Sequence, residues 1–547
     1  MKITKLILVV TALTLAVVSC KKSSQDLTNA IPANAGYVVH INGKSIVEKS
    51  NYDIFKNVTV QRGINMAKAM IGNNQDAVNM IDAFTKDVNS IGLDIKGDSY
   101  FYTDYASYGF VMGVNDAEKL KNSILNIPGA KEQEMVKVGD DGIYTISTGA
   151  NAVIVWNKDK FIALGSMGHY FSGGDKDQDL LAVAKKQLTQ EDKESINSNP
   201  AFANFLKDQK DITVFYSYSP EMIKNMLAMS RVDLPEEILN ELNELKGASS
   251  IASVSFDKGQ ITADGKIYYE SSDAEKKYKD MAAAMSGSLK GDQLKYISEN
   301  PIFLTSVNLK GAGIYDLLKK WNLLKDVEPE AAKEGFDLQA LMSNVEGDIT
   351  FALTDILSVT RMRSWGESKS SFPEFTVLVD LKNGKETFDI VKSKLAEADS
   401  AREGENEGAP KAIDENTYTA DIDGTKGYFG IANNMLYITN SEKIFNGVKS
   451  STPVSAGYDA LAKNNMMLMT GNIQSLKAPL LKEIRDNEAK GYADEFVSLF
   501  GNYDYTGSVD MGGKGKIEMT DKSQNSLAAI CKYLDNVLTG LNDKMGF

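Results

Sequence analysis

Apolar and polar residues alternate in two rhythms along the chain. Residues 37–42 (Tyr-Val-Val-His-Ile-Asn) alternate weakly and are rich in β-branched and aromatic types, which predicts a strand. Residues 108–114 and 374–381 predict strands of the same kind. Each is followed by an amphipathic helix, showing Leu120 and Ile124 in the first case and Phe388, Val391 and Leu395 in the second. Residues 142–147, 151–156 and 160–166 are short strand-like runs separated by Gly, Asn and Asp, and predict an antiparallel meander. Asp233 to Lys246 predicts a helix with Pro235 in its first turn, a stripe of Ile238, Leu242 and Leu245, and a stop at Gly247. A last helix carries Leu527, Ile530, Leu534 and Val537, with Cys531 inside its apolar pattern. Strands clustered into hairpins with helices between the clusters predict an α+β fold of mainly antiparallel sheet with packed amphipathic helices.

The pattern occurs twice. Residues 37–44 (YVVHINGK) match 303–310 (FLTSVNLK), with Asn42 against Asn308. Next, 96–104 matches 346–355, with Gly97-Asp98 against Gly347-Asp348. Ile143-Tyr144-Thr145 then faces Thr417-Tyr418-Thr419, residues 157–166 face 432–441, and 253–267 face 508–517. Five weak matches in one order predict two tandem homologous modules, over 31–290 and 297–547, joined near Ser286 to Asn300.

The N-terminus has its own pattern. Lys2 and Lys5 precede an apolar stretch from Leu6 to Val18, too short to span a bilayer and of the length of a signal-peptide core. It ends in Val17-Val18-Ser19-Cys20, which resembles the lipobox of bacterial lipoproteins. Residues 1–19 are therefore expected to be a signal peptide. Cys20 is the expected lipidation site, and 20–30 the expected lipidated tether. Several acyl chains on one cysteine would anchor the chain stably to a membrane. The opening I-P-A-N-A-G-Y-V-V-H-I-N-G-K-S-I (31–46) and the two-copy layout resemble a family of Bacteroidota cell-envelope lipoproteins labelled only as a domain of unknown function. The resemblance implies the outer membrane, on either its periplasmic or its surface face, and implies no catalytic residues.

Composition narrows the chemistry. A net charge of −14 gives no electrostatic footprint for nucleic acid. There are only two histidines, His40 and His169, and neither has a Cys or a second His at ligand spacing, so the usual zinc sites are excluded. Neither is accompanied by a G-x-S-x-G elbow. No phosphate or dinucleotide fingerprint is present, and G-G-K-G-K (512–516) falls where a tight hairpin is expected. No cofactor is expected. Asp175, Asp177 and Asp179 resemble the first half of a calcium loop. However, Leu180 stands where an EF-hand needs glycine and Lys186 where it needs glutamate; the plainer reading is a loop whose Asp179 caps a helix.

Three surface features remain. The run 100–110 (YFYTDYASYGF) is rich in rings, and Tyr105 and Tyr108 fall at its expected turn as candidate sugar-stacking residues. The second copy of that hairpin carries an insertion, 357–372 (LSVTRMRSWGESKSSF), expected to be a surface loop. It places Arg361, Arg363 and Trp365, residue types enriched in binding hot spots, on an acidic protein. Asp399-Ser400-Ala401 opens a polar segment expected to be a loop, and Ser400 is a candidate O-glycosylation site. The expectation is a non-enzymatic envelope lipoprotein that binds or scaffolds a partner. The alternatives are a surface glycan-capture lipoprotein and, more remotely, a carboxylate-dependent hydrolase.

Overall fold

The computed structural model describes residues 27–72, 74–104, 107–147, 151–166, 179–218, 238, 247–363, 366–400, 410–422, 424–455 and 457–545. The expected signal peptide with Cys20, His169, and the stripe residues Leu242 and Leu245 of the expected 233–246 helix lie outside these residues. The fold is α+β, and its strands divide between two compact units. The first gathers described residues within Met1–Leu234, Leu239–Glu275 and Asp521–Phe547; the second gathers those within Lys276–Thr520.

In the first unit the strands are β1 (Tyr37–Asn42), β2 (Leu93–Thr103), β3 (Ser107–Val114), β4 (Lys137–Val138), β5 (Tyr144–Ser147), β6 (Ala152–Trp156), β7 (Lys160–Ser166), β8 (Ile212–Ser217), β9 (Ala248–Asp257) and β10 (Gln260–Tyr269). Every pairing is antiparallel, in the order β4-β5-β6-β7-β3-β2-β1-β8-β9-β10. The expected meander is β5-β6-β7. Alternation sends successive residues to opposite faces, and both faces are covered. Val111, Val155 and Ile162 enter one core with Phe202, Phe205 and Leu188. Their neighbours Met112, Trp156 and Phe161 enter another with Leu120.

In the second unit the strands are β11 (Phe303–Lys310), β12 (Val345–Arg363), β13 (Gly366–Leu381), β14 (Lys411–Asp414), β15 (Thr417–Ile422), β16 (Thr425–Ala432), β17 (Met435–Thr439), β18 (Asn465–Asn472), β19 (Phe500–Ser508) and β20 (Gly513–Met519). Their antiparallel order is β14-β15-β16-β17-β13-β12-β11-β18-β19-β20. The Gly-rich 512–516 segment leaves the β19–β20 turn at Gly512 and forms the start of β20, where 513–516 pair with β19. Segment 286–300, expected to join two modules, is packed instead: Leu289, Leu294, Tyr296 and Ile297 lie in this unit's core. Four apolar side chains in so short a stretch are better buried than left in a linker.

The two Gly-Asp pairs sit at matching irregularities. The β2–β3 register shifts between Asp94 and Ser99, and the β12–β13 register shifts between Val345 and Ile349. Gly347 has φ of 140°, and a Cβ there would lie 2.7 Å from Asp380 Cβ; a Cβ on Gly97 would lie 2.5 Å from Asp94 Oδ2. At Gly347 the positive φ favours glycine, and at both bulges a glycine lets the strand pass close over the carboxylate beneath. Asn42 faces Asp98 across β1–β2, and Asn308 faces Asp348 across β11–β12.

Candidate functional site

The insertion 357–372 is not an irregular loop. It continues the β12–β13 ladder for eight rungs, from Ile356–Pro373 to Arg363–Gly366. At about 3.4 Å per residue this is an arm of about 25 Å. The difference from the expectation has a physical reason: the apolar alternation at Leu357 and Val359 is short among Ser, Thr, Arg and Lys, and the backbone ladder carries the strands on beyond it. Beyond the Asp355–Glu374 rung, neither strand pairs with a third strand among the described residues. The base of the arm is fixed on one side: Lys482 Nζ donates to Ser358 Oγ at 3.0 Å, and Ser371 Oγ donates to Glu483 Oε1 at 3.2 Å. Val359 is buried at 5 % exposure, while its neighbours Ser358 and Thr360 face solvent. Arg361 and Arg363 stand in the last rungs of the ladder, and Trp365 lies outside the described residues.

The corresponding hairpin of the first unit, β2–β3, turns within Asp104–Ser107, where Asp104 Oδ1 accepts from both the Ser107 amide (2.7 Å) and its hydroxyl (2.8 Å). Most of its aromatic run is structural. Tyr100 and Tyr102 are fully buried, and the Tyr102 hydroxyl donates to Gln187 Oε1 at 2.5 Å. Tyr108 is 42 % exposed, and its ring lies over Gly165, where a Cβ would meet it at 2.3 Å. It thus presents one face while resting on the sheet. Tyr105 lies outside the described residues.

The other candidates are placed as follows. Asp179 caps the helix Leu180–Thr189, accepting the Leu181 and Ala182 amides at 3.1 Å each. Asp175 and Asp177 lie outside the described residues. Among the described residues, no three His, Cys, Asp or Glu side chains gather as a metal site would need. Ser400 is not in a loop; it ends the helix Gly384–Ser400, which extends the Phe388–Leu395 periodicity by a further turn.

Two buried carboxylates, Asp348 and Asp211, organise the packing, and the sequence marked only the first of them. Asp348 is fully buried and accepts the Lys290 and Gly291 amides and the Asn308 side chain at 2.8–3.1 Å. Its Gly-Asp repeat was the available signal. In the first unit, Asp98 Oδ1 lies 2.9 Å from the Nε2 of His40, a fully buried ring between Tyr100 and Phe205. Asp211, at 2 % exposure, had no sequence signal. It accepts from the Ser45 hydroxyl, from Lys49 Nζ at 2.7 Å and from the Phe256 amide at 2.6 Å. Charge-assisted bonds that saturate a buried anion hold elements together. Here they fix the helix Gly43–Ser50, which Asn42 caps through the Ser45 amide, against the sheet.

An open groove of about 480 Å³ in the same unit is lined by Val47, Asn51, Tyr52, Asp53, Lys56, Asn57 and Asp535. Asp535 accepts from the Tyr52 hydroxyl and the Asn57 amide nitrogen, both at 2.6 Å. Burial first, then the bond to Asp535, pushes the Tyr52 hydroxyl well above its usual range.

Among the described residues, no helix is long and apolar enough to cross a membrane. No curated protein matches the sequence. Two solved structures, crystal forms I and III of TP0453, are similar at 8 % identity with TM-scores of 0.23 and 0.24. They cover 45 % and 49 % of this chain and 80 % and 90 % of their own. Overlap this low says nothing about function. The profile of one family, by contrast, matches residues 27–527, nearly the whole described chain with the strands of both units. The chain belongs to the family described as Domain of unknown function (DUF4836).

Proposed function

We propose that this chain is a lipoprotein of a Bacteroidota outer membrane, held by lipid on Cys20, that works without catalysis as a binding or scaffold protein. The observation that carries the binding role is the β12–β13 arm. It extends eight rungs, fixed at its base by Lys482 and Glu483. Its sequence places Arg361, Arg363 and Trp365 on an acidic chain. Main-chain groups on free strand edges and Arg or Trp side chains are the usual means of partner capture. The double substitution Arg363→Ala with Trp365→Ala should weaken partner retention at least about tenfold, as loss of a hot spot does. Its melting temperature should stay within about 1 °C, because the arm lies outside both cores. Retention unchanged in the double variant would sink the arm as the contact. The anchor has its own test. Cys20→Ser removes the only thiol that could take the lipid, and the variant should leave the membrane fraction in a high-salt wash; persistence there would refute the anchor.

We also infer that the two units are copies of one module. Both have the same order of ten antiparallel strands, and Asn42–Asp98 and Asn308–Asp348 occupy the same rung of it.

A further inference from the structure

Resting on the reading of two copies, we propose that the copies have exchanged their C-terminal helices, so that each unit carries a seat filled by the last helix of the other module. Each copy ends its sheet in a hairpin, β9–β10 or β19–β20, followed by one helix: Ser272–Met285 after the first, Ser526–Met545 after the second. The two helices share a K-Y-x-D signature, Lys277-Tyr278-Lys279-Asp280 and Lys532-Tyr533-Leu534-Asp535. They are therefore matching elements by position and by sequence. Yet the compact unit around β1–β10 contains Asp521–Phe547, and the unit around β11–β20 contains Lys276 onward. Each helix is built into the unit of the other copy.

The seats correspond as well. The helix Gly43–Ser50 follows β1, and Gly311–Lys320 follows β11. Ser526–Met545 packs on Gly43–Ser50, on the helix Val58–Ile71 and on β9. Besides the Asp535 bonds, Thr59 Oγ1 donates to Leu538 O at 2.8 Å. Asn525 Nδ2 donates to Phe256 O at 2.9 Å, and the Gly259 amide donates to Gln524 O at 2.9 Å. In the second unit, Lys310 Nζ donates to Ala283 O at 2.6 Å, and a Cβ on Gly313 would lie 1.9 Å from Ala284 O. Only glycine lets that helix come so close. The hairpin turn also meets the helix in both units. Gly259 does so in the first, and Asp510, which pairs with Lys279 at 3.8 Å, does so in the second.

A single-module chain of this design would fill the seat with the helix of a second copy, as domain-swapped dimers do. The natural partner of the seat is thus another module of the same kind. In this chain, fusion supplies it internally.

Hydrogen exchange on the full-length protein tests the exchange directly. Asp535→Ala removes the bonds to Tyr52 and Asn57. It should speed exchange in 43–71 about tenfold or more, as loss of charge-assisted bonds does, and leave 311–320 unchanged. Gly313→Leu should do the converse, speeding 276–285 and 311–320 while leaving 43–71 and 526–545 protected. If Asp535→Ala instead speeds 311–320, or if neither region responds, the exchange is overturned. The reading of two copies would fail on a different result, an experimental structure in which the two strand orders differ.

Discussion

Trp156 shows what one residue contributes when strand alternation puts it on a covered face. It is fully buried, its ring is stacked 5.1 Å from that of Tyr144, and its Nε1 donates to Ala117 O at 3.2 Å. One side chain thereby ties β5, β6 and the helix Ala117–Leu125 together. Trp156→Ala should cost about 3–5 kcal/mol, the range for deleting a large buried aromatic ring, read as a drop in the denaturation midpoint. A loss under about 1 kcal/mol would mean the ring is not in the core. The sequence marked Trp156 through its place in an apolar run. It marked Gly97-Asp98 and Gly347-Asp348 through repetition. It could not mark Asp211, whose partners Ser45, Lys49 and Phe256 are distant in the chain and ordinary in type.

Elements were legible where burial imposes a period. Strands β1, β3 and β5–β7 and the helices Ala117–Leu125 and Gly384–Ser400 follow the pattern of their apolar residues. The arm was not legible, because its buried alternation is confined to the Val359 region and backbone pairing carries the rest. Segment 286–300 was misread because its apolar residues lack a helix or strand period and are buried all the same. The C-terminal helix carries a pH dependence. Burial pushes the Cys531 thiol above its ordinary value of 9.0. A raised pKa in the folded state favours the protonated form there. Its stability contribution is therefore full below the unfolded value and lost as pH rises through the folded one. Relative to Cys531→Ala, the wild-type protein should lose melting temperature between about pH 8 and pH 11, around the ordinary thiol pKa. An identical alkaline slope in both proteins would show that the thiol is not desolvated.

At the scale of the whole molecule, sequence repetition shows which segments correspond but not which unit each one completes. Exchange of equivalent helices leaves every local pattern intact, so Ser526–Met545 reads the same whichever unit it joins. The account of function likewise rests on a whole-molecule arrangement. In the proposed arrangement one end is tethered by lipid, and among the described residues the β12–β13 arm extends beyond the strands that pair with its base. The central claim is that this arm is the binding surface. A photo-crosslinking residue at Thr360, exposed on the arm, should capture one specific envelope partner in intact cells. The same residue at Lys44, exposed on the first unit, should capture none. Equal capture at both positions, or none at Thr360, would contradict the account.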